Sequence, residues 1–202
     1  MDFLHLFRAG GFMMYPLILC SLVVVAIFIE RFRYYRSNRS HVDELSREIP
    51  KYLEKRDYEG LKTLLQQDGG IPASVVLAGV EHMNLKVDQT SLIEGAASHA
   101  AGRLKNYLNY LDVIVTLSPL MGLLGTVIGM IGSFNVLSVS NGQPFAVTGG
   151  VAEALVCTAT GLFVAIIALI AYTYLSQQVS HFVSDMEKLG TLYLAIVEAK
   201  EQ

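Results

Sequence analysis

The chain has 202 residues, 52% hydrophobic and 16% charged, with a formal net charge of −3. Together with a positive mean hydropathy, this describes a membrane protein with a modest polar portion and gives nucleic-acid binding no support. Cys20 and Cys157 both fall in apolar stretches, so neither points to a disulfide framework.

Residues 1–11 read as a short extracytoplasmic N-terminus, followed by a first transmembrane helix over 12–30. The apolar run lacks a small-residue cleavage site and passes directly into Glu30-Arg31-Phe32-Arg33-Tyr34-Tyr35-Arg36, a stop-transfer flank, so it reads as a retained span and not a cleaved signal. Residues 31–112 read as a helical cytoplasmic domain. Val42–Leu53 and Tyr58–Gln67 carry apolar residues at three- and four-residue spacing, separated by the charged turn Glu54-Lys55-Arg56-Asp57. Asp68-Gly69-Gly70-Ile71-Pro72 is a helix stop, a loop and a restart with proline in the first turn. Asp88 offers the next N-cap, with Glu94 placed to favour the first turn. No proline follows until Pro119, so one helix of about 48 residues is expected to run from Gln89 into the second span, roughly 70 Å at ~1.5 Å per residue.

The second and third transmembrane helices are expected over 113–137 and 150–175, with a short outer loop at 138–149 between them. Each apolar stretch is long enough for a ~30 Å hydrocarbon core. The third span continues as a cytoplasmic helix over 176–202, with Val179, Phe182, Val183, Met186 and Leu189 as its apolar line. Of fifteen Lys and Arg residues, twelve lie between Arg31 and Lys105 and none between the second and third spans. The positive-inside rule therefore puts the N-terminus outside and the C-terminus in the cytoplasm. The expected fold is an all-α integral membrane protein with three transmembrane helices, two of them very long and extending into a helical cytoplasmic region.

From Val113 to Ala152 there is no Asp, Glu, Lys or Arg; Glu153 then stands as the one formal charge before Asp185. A carboxylate at membrane depth costs roughly 2.5–3.5 kcal/mol on insertion scales and usually lines an ion path or pairs inside a bundle. A glutamate that only held helices together could be a glutamine at lower desolvation cost. On a helical wheel Ser118, Gly122, Gly125, Thr126, Gly129, Gly132 and Ser133 fall within one arc of about 120°, with the large aliphatics opposite. Glu153, Ala154, Cys157, Thr158, Gly161, Ala165, Ala168 and Tyr172 fill one side of the third span. Small residues let helix backbones approach in lipid. Gly122, Gly125, Gly129 and Gly161 therefore read as packing positions and Pro119 as a kink or hinge. A bland reading makes the whole stripe helix-on-helix packing, with Thr126 and Thr158 bonding their own preceding carbonyls. His5, His41, His82, His99 and His181 are scattered without ligand spacing. Cys157 has no neighbouring His, and no cofactor site or enzyme chemistry is indicated.

Ser118-Pro119-Leu120-Met121-Gly122-Leu123-Leu124-Gly125-Thr126-Val127 resembles the Pro-Leu-x-Gly-Leu-Leu-Gly-Thr-Val signature of the ExbB/TolQ/MotA ion-driven motor family. Val151-Ala152-Glu153-Ala154-Leu155-Val156-Cys157-Thr158-Ala159-Thr160-Gly161-Leu162 resembles its Ile-Ala-Glu-Ala-Leu-x-x-Thr-Ala-x-Gly-Leu signature. The chain departs from the family pattern at Ala165-Ile166-Ile167-Ala168, which lacks a proline, and at Gly149-Gly150. The resemblance implies a homopentameric ring in a bacterial inner membrane, around two copies of a single-span ExbD/TolR-like partner with a membrane aspartate. It further implies work on a TonB- or TolA-like protein, with Thr126, Glu153 and Thr158 as the polar residues of the proton pathway. The ExbB/TolQ-like branch fits better than the flagellar stators, which carry a fourth span. Membrane lipids are the remaining expected contact, and a non-conducting scaffold of an envelope assembly complex is the alternative.

Overall fold

The computed structural model describes residues 10–83, 87–139 and 145–201. Among these the secondary structure is helical: α1 Met14–Ser37, α2 Val42–Lys55, α3 Tyr58–Asp68, α4 Ile71–Glu81, α5 Gln89–Leu104, α6 Leu108–Val139 and α7 Phe145–Glu201. Three of these helices are long and apolar enough to cross a membrane. Of the outer loop expected at 138–149, residues 138–139 belong to α6 and 145–149 to α7, while residues 140–144 and the segment containing Arg8 lie outside the described residues.

The chain divides into two compact units. One comprises the described residues up to Ile29 together with those of Tyr107–Tyr174. Many of its large apolar side chains point outward: Leu22, Leu120, Leu123, Leu155, Phe163 and Ile170 are all at least half exposed, while the small Ala154, Cys157 and Ala168 are buried. A water-soluble bundle has the opposite arrangement, and this one suits a lipid solvent.

The other unit comprises Glu30–Asn106 and the chain from Leu175 onward. It buries Leu45, Ile49 and Leu53 of α2, Leu61 and Leu65 of α3, Val75, Val76 and Val80 of α4, and Ile93 of α5. From α7 it buries Val179, Phe182, Met186, Leu189, Tyr193 and Val197. The spacing of three and four along α7 is that of a helix presenting one apolar stripe to a bundle. Val183, placed on that line from the sequence, is only partly covered.

The helix boundaries in this unit are set by local chemistry. Asp57 caps α3 by accepting from the Gly60 N–H at 2.9 Å, and Asp88 caps α5 by accepting from the N–H groups of Thr90 and Ser91. Glu94 lies beyond the first turn of α5, which carries no acidic residue. Gly69 ends α3 in the left-handed conformation at φ 66°, and α4 opens with Pro72 in its first turn. The Asp68 carboxylate is 5% exposed and faces the backbone N–H and ring of His41 at 2.9 and 3.0 Å. It also accepts from the Gly70 N–H at 3.2 Å. Burial alone would raise the Asp68 pKa; the bonds from His41, Ser40 and Gly70 outweigh it and hold the carboxyl below its ordinary value.

The single helix expected from Gln89 into the second span does not form. Helix α5 ends at Leu104 and α6 begins at Leu108, with Tyr107 in the left-handed region at φ 66°. Only α7 is therefore very long. Neither proline nor glycine occupies residues 103–107; the reason for the break is tertiary. The last carbonyls of α5 are taken by side chains of α1: Arg31 Nη1 donates to the Arg103 carbonyl at 3.2 Å and Tyr35 Oη to the Leu104 carbonyl at 2.8 Å. Arg31 is 5% exposed and Tyr35 2% exposed, and Arg31 is also paired with Glu30 at 2.6 Å. Helix-terminal carbonyls need such partners when they are enclosed.

Candidate functional site

The facing residues of α6 and α7 pair in antiparallel order. Ser118 and Gly122 meet Gly161 and Thr158, Gly125 meets Cys157, and Gly129 and Ser133 meet Gly150 and Ala154. At Gly122 and Gly161 the approach is backbone to backbone. A Cβ on Gly161 would stand 2.6 Å from the Ser118 carbonyl oxygen and 3.0 Å from the Gly122 Cα. Backbone at that distance cannot yield, so any side chain there would separate the helices. The Ser118 hydroxyl is enclosed in this contact without a hydrogen-bond partner among the described residues. Helix α6 continues through Pro119 without a break in its assigned span.

Thr158 lies in the same contact. Its hydroxyl is 3.2 Å from the Ala154 carbonyl of its own helix and 3.3 Å from the Gly122 carbonyl across the interface. Thr126 is partly covered and donates to the Leu123 carbonyl at 2.6 Å. A threonine whose proton is engaged by a backbone carbonyl offers its remaining lone pairs as acceptors.

Glu153 takes a different neighbour. Its carboxylate packs directly on Gly11, so closely that a Cβ at that position would overlap Glu153 Oε1. Gly11 has φ +65° and begins the turn that leads into α1, where the Met14 N–H bonds the Gly11 carbonyl at 3.2 Å. Two constraints thus require glycine there: the left-handed backbone and the carboxylate lying against it. The same edge of α7 brings Val156 against Gly10, and Met13 lies 3.5 Å from the position a Cβ would take on Gly125.

The polar side of α7 therefore resolves into two faces. Gly150, Ala154, Cys157, Thr158 and Gly161 meet α6, whereas Glu153 and Val156 meet the turn before α1. No hydrogen bond among the described residues joins Thr126, Glu153 and Thr158 to one another. Glu153 instead stands beside the turn that opens α1, whose Met14 and Tyr15 N–H groups are bonded to the Gly11 and Phe12 carbonyls at 3.2 and 3.3 Å. Gly11 and Met13 are the contributors not picked out from the sequence. The available signal was the Gly10-Gly11 pair immediately before the first apolar run.

These features define a multi-span helical membrane protein, built on a small-residue helix interface with one carboxylate at its edge. The chain belongs to the MotA/TolQ/ExbB proton channel family, whose profile matches residues 68–188 and so includes Thr126, Glu153 and Thr158. It is similar to the ExbB-like 3 biopolymer transport protein of Synechocystis sp., with 31% identity over 196 residues, 92% of this chain and 91% of the relative. It also resembles the Tol-Pal system protein TolQ of Haemophilus influenzae, with 33% identity over 129 residues, 63% of this chain and 52% of that protein. To the biopolymer transport protein ExbB of Salmonella typhimurium the identity is 34% over 99 residues, 48% of this chain and 41% of that one.

Proposed function

We propose that this chain is the ring-forming subunit of an ExbB/TolQ-like proton-driven motor in a bacterial inner membrane, N-terminus outside and C-terminus in the cytoplasm. Five copies surround two copies of a single-span ExbD/TolR-like partner that carries a membrane aspartate. The assembly converts proton motive force into work on the envelope through a TonB- or TolA-like protein. The observation that carries this reading is Glu153, the lone acidic residue between Val113 and Ser184, set against the Gly11 turn at the start of α1 at the edge of a small-residue helix interface.

In this reading each proton falling through 100 mV releases ~2.3 kcal/mol, so work accumulates over successive steps. Glu153 supplies a carboxyl group beside the path, and the Thr126 and Thr158 hydroxyls supply acceptors to a protonated partner carboxyl. Motion follows when the neutral and charged forms of that carboxyl favour different positions in the ring.

The test is Glu153→Gln, which keeps shape and hydrogen-bonding capacity, in a strain that depends on this motor, with ring assembly checked by native mass spectrometry. Assembly is expected to persist and energy-dependent work to be lost. Thr126→Val and Thr158→Val are expected to impair the same work less completely. Full activity of Glu153→Gln would return the non-conducting scaffold to first place.

A further inference from the structure

Helix α1 has two opposed faces. Leu17, Val24, Arg31 and Tyr35 are buried along one of them. Tyr15, Ile18, Leu22, Val25, Ile29 and Phe32 are exposed along the other, within an arc of about 100° on a helical wheel. The exposed stripe does not stop where the apolar run ends. Arg33 and Arg36 continue it on the same arc, both exposed, and neither has an ion-pair or hydrogen-bond partner among the described residues. With Phe32 and Ser37 they line a shallow recess of about 400 Å³. No acidic residue lines it, and the neighbouring Glu30 is engaged by Arg31 at 2.6 Å.

We propose that this recess binds the headgroup phosphate of an acidic glycerophospholipid, in the leaflet where the C-terminal end of α1 emerges. Arg33 and Arg36 are one helical turn apart, about 5–6 Å between Cβ atoms, close enough for two guanidinium forks to share one phosphate. They stand roughly 6 and 10 Å along the axis beyond Ile29 at ~1.5 Å per residue. Side chains of a helix lean toward its N-terminus, here toward the bilayer. Both guanidinium groups therefore reach the headgroup layer, with Phe32 and Ile29 against the acyl chains below. Two unpaired positive charges and no carboxylate give the site its preference for an acidic lipid over a zwitterionic one.

The proposal depends on α1 crossing the bilayer and not on proton conduction, so a failed motor assay leaves it standing. The full chain is reconstituted into phosphatidylcholine vesicles containing a minority of phosphatidylglycerol, extracted in mild detergent, and its retained lipid quantified per chain by mass spectrometry. The wild type is expected to retain phosphatidylglycerol several-fold over its share in the vesicle. R33Q/R36Q is expected to lose that enrichment, and R47Q, an exposed arginine on α2, to keep it. R33K/R36K keeps the charge without the fork and is expected to show an intermediate value, which serves if the glutamine variant fails to fold. Enrichment unchanged in R33Q/R36Q would overturn the proposal. So would displacement of the lipid by millimolar inorganic phosphate, which would mark a free-anion site. A change of oligomeric state in R33Q/R36Q with lipid retention intact would make the face a subunit contact, and would also overturn it.

Discussion

The phenol of Tyr35 donates to the carbonyl of Leu104 at 2.8 Å, across 69 residues of sequence, and both residues are buried. The bond closes the end of α5 where a helix would otherwise have run on. Tyr35→Phe removes the donor and leaves an enclosed carbonyl, at a cost of about 1–3 kcal/mol. Thermal unfolding of the detergent-solubilised protein should show the loss. Burial pushes the Tyr35 phenol up to about 12, against an ordinary value near 10. The folded state thus binds the proton more tightly than the unfolded chain. This contribution is complete below about pH 10 and declines as pH rises toward about 12. Tyr35→Phe should flatten that alkaline decline; an unchanged profile would show that the phenol is not coupled to folding.

Gly161→Ala and Gly132→Ala separate packing within the chain from helix propensity. At Gly161 a Cβ meets the Ser118 carbonyl oxygen at 2.6 Å; at Gly132 nothing stands within 4 Å. Gly161→Ala should cost roughly 1–3 kcal/mol of stability through overpacking, read as a lower unfolding midpoint. Gly132→Ala should be neutral or stabilising by up to about 1 kcal/mol. If Gly132→Ala weakens ring assembly while the chain still folds, the open face at Gly132 is a contact between subunits.

Gly11→Ala tests whether the position of Glu153 matters as well as its charge. The added methyl group must displace the carboxylate and also occupy a left-handed backbone, a strain of order 1–3 kcal/mol. The expected outcome in the complementation assay is a strong loss of motor work with all charges intact. Wild-type activity would mean that the carboxylate works equally well away from the start of α1.

Asp68→Asn addresses the polar unit. The carboxylate accepts from the N–H groups of both His41 and Gly70; an amide can turn its oxygen to one of them and presents a donor to the other. A loss of about 1–3 kcal/mol is expected. Because the Asp68 pKa is held below its ordinary value, its stabilisation is full above the unfolded pKa near 4 and is lost as pH falls through the folded value. Unfolding midpoints of wild type and variant should therefore converge in acid. A constant difference across pH would assign the effect to shape and not to charge.

Several features were legible in the residues because they depend on near neighbours or on simple counts. The three apolar runs, the cap at Asp88, and the restart at Gly70-Ile71-Pro72 follow from simple counts and from backbone groups that local side chains can satisfy. The division of α6 into a small-residue side and a large aliphatic side needs only the helical repeat and the rule that lipid accepts what close packing cannot. The motifs around Thr126 and Glu153 likewise pointed to the family whose profile matches the chain. Two features only the tertiary structure decided. The interruption at Lys105–Tyr107 carries no breaker residue; it exists because Arg31 and Tyr35, about seventy positions earlier, take the carbonyls that α5 gives up. The wheel likewise set Glu153 among its small neighbours, yet a wheel shows which residues share a side and not what covers it. Gly11, bent into a left-handed turn before α1, is what the carboxylate meets, because the packing of Gly10 and Gly11 on α7 is a long-range contact that no local pattern encodes.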